Sequence, residues 1–121
     1  MAKTSTALYL YCVVRAARRP SLARVPRGLP EATTPEAHRL APSLWLITAH
    51  VPLAIYGPAA LEPRLRDLDW VAEAAVAHEA VVEHFARGRG MVVIPMKLFT
   101  MFSSLDKAIT EVSEGRAAIE R

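Results

Sequence analysis

Residues 6 to 15, Thr-Ala-Leu-Tyr-Leu-Tyr-Cys-Val-Val-Arg, decide how this chain folds. They are rich in β-branched and aromatic types, and no helix cap introduces them. Apolar residues follow one another instead of alternating with polar ones, the pattern of a strand covered on both faces. The stretch therefore reads as the central strand of a sheet, with the other elements packed around it.

Two more strands follow from the same logic. Ser43 to Val51 is rich in apolar residues and ended by Pro52, which lacks the N–H that a continuing ladder would use. Met91 to Leu98, Met-Val-Val-Ile-Pro-Met-Lys-Leu, is interrupted by Pro95, which argues for a bulge or an edge position. It is expected to pair with residues 6 to 15. Between the first two strands, residues 18 to 42 hold five prolines, Gly28 and Thr33-Thr34. That is loop chemistry, expected to be the most mobile part, with His38-Arg39-Leu40 as a short edge strand.

Tyr56-Gly57-Pro58 makes a turn into a helix with Pro58 at its first position, and Pro63 predicts a kink or restart. Asp69 reads as the cap of the next helix. There Trp70, Val71, Ala74, Ala77, His78, Val81, Val82 and Phe85 recur at three- and four-residue spacing, until Gly88 or Gly90 ends it. Ser103 with Asp106 resembles a capping box for a last helix whose apolar stripe is Leu105, Ala108, Ile109, Val112 and Ile119. Helices grouped rather than alternating with strands predict an α+β fold, a small antiparallel or mixed β-sheet with helices packed on one face.

The 121 residues, 52% apolar and 22% charged, describe one domain. Such a chain buries roughly two thirds of the surface it exposes when unfolded, so it needs no metal or disulfide to hold a core. Mean hydropathy is +0.18, but 21 alanines raise that figure while adding little buried area. No secretory leader pattern and no membrane-length apolar run is visible, which predicts a cytoplasmic protein that does not enter the membrane. Residues 1 to 60 hold seven Lys or Arg against two Glu, whereas residues 61 to 121 hold eight against ten acids. The excess gathers at Arg15, Arg18, Arg19, Arg24 and Arg27, as an anionic contact surface or a solvated loop.

The sequence carries no recognisable catalytic pattern. His78 and His84 lie six residues apart, about 240° around a helix, so they do not share a face as zinc ligands four apart do. His78 reads as a core histidine bonded to a neighbour. Cys12, mid-strand and without a second cysteine, reads as a buried inert thiol. Gly88-Arg89-Gly90 follows a helix instead of preceding one, the wrong geometry for phosphate capture. No basic helix or base-stacking aromatic pair points to nucleic acid. Met91, Met96, Phe99, Met101 and Phe102 are soft, adaptable side chains that serve either the core or a partner surface. The expectation is a protein that is not an enzyme, holds no cofactor or metal, and works by binding or assembly.

Residues 51 to 85, from Val-Pro-Leu-Ala-Ile-Tyr-Gly-Pro to Val-Val-Glu-His-Phe, closely resemble the gas vesicle F/L protein family. Leu8-Tyr9-Leu10-Tyr11-Cys12-Val13-Val14 is similar to that family's opening Tyr-x-Tyr-Gly-Ile-Val strand. Val93-Ile94-Pro95-Met96-Lys97-Leu98-Phe99-Thr100-Met101-Phe102 is similar to its Val-Leu-Pro-Leu-Arg-Phe-Gly-Thr-Ile-Phe segment. Cys12 stands where the family usually has Gly, Pro63 interrupts a helix usually free of proline, and Phe99 replaces Gly where Lys97 replaces Arg. The Gly-to-Phe change alters the allowed backbone at that point.

The resemblance implies an accessory protein of gas vesicle assembly, associated with gas vesicles in the cytoplasm, with no reaction of its own. Its partners would be the small hydrophobic shell protein and other accessory proteins. Residues 1–121 would form a single domain like the N-terminal domain of family members, which continue into a second domain where this chain stops. Candidate contact residues are Met96, Lys97, Phe99 and Met101, together with Arg15, Arg18 and Arg19. A different reading of the same scaffold is a small-ligand or anion-binding regulatory module using Arg15, Arg18, Arg19 and Lys97.

Overall fold

Strand β1, Thr6–Arg15, runs through the middle of the molecule with every residue between its two exposed ends buried. The computed structural model describes residues 5–120, with side chains through Glu114. After β1 come β2 (Glu36–Ala41), β3 (Leu44–Pro52), α1 (Leu53–Tyr56), α2 (Pro58–Arg64), α3 (Leu68–Ala86), β4 (Val92–Pro95), β5 (Met101–Phe102) and α4 (Leu105–Glu120). The sheet order is β2-β3-β1-β4, with β5 also on β1, and every pairing is antiparallel.

A bulge in β1 sorts its side chains. The register against β3 shifts between Leu10 and Cys12, leaving Tyr11 unpaired, so Tyr11 and Cys12 lie on the same side of the sheet. Tyr9, Tyr11, Cys12 and Val14 thereby enter one core with Ile47, Tyr56, Ala74, Val81 and Phe85. Leu8, Leu10 and Val13 face the other way, into a smaller core with Leu46 and Ala108.

The α+β class and the antiparallel sheet are those read from the sequence. Helices α1 to α3 share one face as expected, but α4 crosses the opposite face through Leu105, Ala108 and Val112. The reason lies in β1 itself, whose second apolar set also needs a cover. Ile119, expected on the same stripe, lies outside the described side chains.

Three details differ from the sequence reading. Asp67, not Asp69, caps α3, its Oδ1 accepting the Trp70 N–H at 3.2 Å. Ser104, not Ser103, accepts the Lys107 N–H at 3.2 Å at the start of α4. Pro63, by contrast, acts as expected: α2 ends one residue later at Arg64 and α3 restarts at Leu68. The basic loop, expected to be mobile, is pinned to the main core. Buried Leu29 donates its N–H to Tyr11 Oη at 3.1 Å, Tyr56 Oη donates to the Pro30 carbonyl at 2.8 Å, and Trp45 Nε1 donates to the Ala16 carbonyl at 3.2 Å.

Gly28 makes the first of these contacts possible. Its φ is +85°, and a Cβ there would collide with the Tyr11 hydroxyl. Gly28→Ala is expected to lower unfolding stability by about 1–3 kcal/mol in a denaturant titration, through backbone strain and the displaced hydroxyl.

Candidate partner-binding site

The third strand expected from the sequence, Met91 to Leu98, stops at Pro95, pairing with β1 resumes in β5, and this interruption builds the site. Met96 still bonds to β1, its N–H donating to the Tyr11 carbonyl at 3.0 Å, and Leu10 donates to the Thr100 carbonyl at 2.9 Å. β1 thus advances by one residue while Lys97, Leu98 and Phe99 are pushed out of the ladder. They form a turn closed by Thr100, whose N–H and Oγ1 both donate to the Lys97 carbonyl, at 3.2 and 2.7 Å. Phe99 occupies this turn's third position with φ at 65°, where type II turns favour glycine.

A latch from α3 and β1 holds the turn. The Met96 carbonyl can only accept, so His78 Nε2 carries a proton and donates to it at 2.9 Å. Nδ1 of the neutral ring then accepts from Tyr9 Oη at 2.7 Å, and Tyr9 Oη in turn accepts the Phe99 N–H at 3.1 Å. Burial, the largest effect on His78, pushes its pKa below the usual histidine value and keeps the ring neutral. Burial likewise raises the Tyr9 pKa, so its hydroxyl stays protonated and able to donate. The Phe99 ring stacks on Trp70 with centroids 5.7 Å apart and planes 7° from parallel, and meets Tyr56 at 6.4 Å. This packing offsets the cost of a left-handed backbone on a residue with a Cβ, about 1–2 kcal/mol.

On the other face of the sheet, α4 leaves part of β1, β3 and β4 uncovered. The result is an open groove of about 910 Å³, lined by Leu10, Val13, Leu44, Ile94, Met96 and Phe102 among others, with Arg15 and Glu111 at its rim. Its size falls in the roughly 300–1,000 Å³ range of ligand-holding clefts. Val92 and Ile94 extend it to the edge of the sheet.

The structure separates the residues singled out from the sequence. Met96 and Arg15 line this groove, and Lys97 is exposed in the neighbouring turn. Phe99 and Met101 are half-buried against the opposite, main core. Arg19 lies 4.9 Å over the Trp45 ring and donates to the Ala37 carbonyl at 2.6 Å, while Arg18 is exposed. Lys97 follows the residue bonded to Tyr11, four positions or about 13 Å along the strand from Arg15. Phe102, one of the soft side chains noted in the sequence, also lines the groove, whereas Leu44, Val92, Ile94 and Val112 were not singled out there as contact residues. The available signal was Val92-Val93-Ile94, a continuous apolar run without charge beside Pro95.

Burial alone pushes the Cys12 thiol up to about 12, which leaves it un-ionised at neutral pH. Among the described residues, no three His, Cys, Asp or Glu side chains come together as a metal site would require, and no helix is long and apolar enough to cross a membrane. The fold and groove therefore define a small α+β domain with an open apolar face, in which the buried His78 and Tyr9 are tied up in structural bonds. The chain belongs to the family of gas vesicle synthesis proteins GvpL/GvpF, whose family model matches residues 7–121. No curated protein and no solved structure matches it.

Two measurements check the latch. The unfolded chain protonates His78 near pH 6.5, but the folded chain does so only at lower pH, so stability is complete above that value and falls as pH drops through it. His78→Gln is expected to remove this slope in denaturant titrations between pH 7 and 5. At position 99, Phe99→Ala keeps the strain and loses the stack. Phe99→Gly is therefore expected to be more stable than Phe99→Ala by about 1 kcal/mol in thermal unfolding, the reverse of the usual Gly–Ala order.

Proposed function

We propose that this protein is a non-catalytic assembly factor of gas vesicle formation, which holds the small hydrophobic shell protein, or fellow accessory proteins, before they enter the growing vesicle. The observation that carries this reading is the open apolar groove on the second face of a domain whose family makes gas vesicles. A shell subunit with apolar surface exposed before polymerisation aggregates unless that surface is covered, and an apolar groove supplies such a cover.

Met96 and Arg15 are assigned to the contact, with Lys97 beside it; Phe99 and Met101 act from the main core by fixing the turn. Arg18 and Arg19 belong to the pinned loop. The complex is assigned to the cytoplasm, on or beside gas vesicles.

Co-expression of the tagged chain with the small shell protein tests the reading. Capture is expected to survive a rise from low to high salt with little loss, because apolar contacts are not screened. Capture that collapses with salt would transfer the function to the cations and support an anion-binding module instead.

A further inference from the structure

The sheet has two open edges, and they differ in kind. β2 carries Glu36, His38 and Arg39, charges of the sort that keep edge strands from pairing with another chain. β4, Val-Val-Ile-Pro, carries none, and its Val92 and Ile94 are 57% and 47% exposed. The Met96–Tyr11 hydrogen bond sets the alternation of the β1–β4 ladder, so Ile94 and Val92 hold the positions bonded to Val13 and Arg15. Val93 therefore turns its N–H and carbonyl away from β1, towards the open edge. Pro95 adds a carbonyl there and no donor. Ile94 also lines the groove, so edge and groove are one continuous surface.

We propose that an extended apolar segment of the partner adds to the sheet as a strand alongside β4, seating alternate side chains in the groove. The inference rests on the proposed function and specifies the form in which a shell subunit would be held. A second copy of this chain fits poorly. Two four-residue strands paired about a twofold axis bury far less than the roughly 1,200 Å² of a stable interface, and they leave both grooves open on one side of the joined sheet. A helix laid in the groove would cover the Val93 N–H and carbonyl without pairing them.

An added strand meets both requirements, supplying backbone partners to Val93 and side chains to the groove. Charge defines the segment further. Arg15 stands opposite Val92 on the groove side and has no ion-pair partner among the described residues, which favours an acidic residue at that end of the segment. Glu111 faces the groove from α4, which favours an uncharged or basic residue on that bank.

Capture of the co-expressed shell protein by the full chain is compared for wild type, a Val92→Lys/Ile94→Lys variant of β4 and a Glu36→Lys variant of β2. All three positions are solvent-facing, and thermal unfolding checks that the variants fold. The β4 variant is expected to lose about tenfold or more in affinity while the β2 variant keeps it. In the wild-type complex, the Val93 amide is expected to exchange with solvent about tenfold or more slowly than in the free chain. A β4 variant that binds like wild type, or a Val93 amide unprotected in a formed complex, overturns strand addition and leaves the assembly function standing. A wild-type chain that captures no shell protein overturns both.

Discussion

Everything near the site depends on how one extruded turn is kept from leaving buried polar groups unpaired. Once Lys97, Leu98 and Phe99 leave the ladder, the Met96 carbonyl and the Phe99 N–H lose their strand partners. A buried group left in that state costs about 1–3 kcal/mol. His78 and Tyr9 satisfy both from a single chain of hydrogen bonds. The tautomer is forced, since a carbonyl at one end and an N–H at the other allow only one direction of donation. This links α3, β1 and the β4–β5 connection. Neither Tyr9→Phe nor a shift of α3 along its axis could preserve the linkage, so the helix position follows from two side chains as much as from its apolar stripe.

The unequal covering of the two faces has its origin in β1. The bulge at Tyr11 places Tyr9, Tyr11, Cys12 and Val14 under α3, with the two tyrosine rings 4.9 Å apart and each 5.6 Å from the His78 ring. That face receives the aromatic side chains and three helices. The opposite face presents only Leu8, Leu10 and Val13 from β1 and receives one helix that reaches part of the sheet. A groove results because the second apolar set is real but its cover is incomplete. The same central strand accounts for a well-filled core and for an exposed apolar surface.

Much of this was legible in the chain. The continuous apolar run 6–15 gave the central strand to the residue, the Pro52 terminator ended β3 correctly to within one position, and the stripe from Trp70 to Phe85 placed α3 with His78 facing inward. A strand covered on both faces already required a helix on each side, and grouping all helices on one face missed that consequence. The split of β4 from β5 was harder to see. Pro95 signalled an irregularity, but the extrusion falls two residues later and depends on Tyr9 and His78, which are distant in sequence. Caps were misplaced by one or two residues because Asp67 and Asp69, or Ser103 and Ser104, offer the same chemistry locally, and only the turn geometry chooses between them.

Phe99 shows how a residue with a side chain can hold a backbone conformation that favours glycine. Glycine would adopt the left-handed conformation freely, whereas phenylalanine holds it at φ 65° with the Trp70 stack and the Tyr9 hydrogen bond on either side. Packing here holds a conformation that a side chain otherwise disfavours. That restraint bears on binding through Met96, whose carbonyl is held by His78 while its side chain lines the groove. A groove wall fixed from behind has less freedom to lose when a partner settles on it, so more of the apolar burial is retained as affinity. The latch and the open groove, on opposite faces of the sheet, are thus two ends of the same few residues.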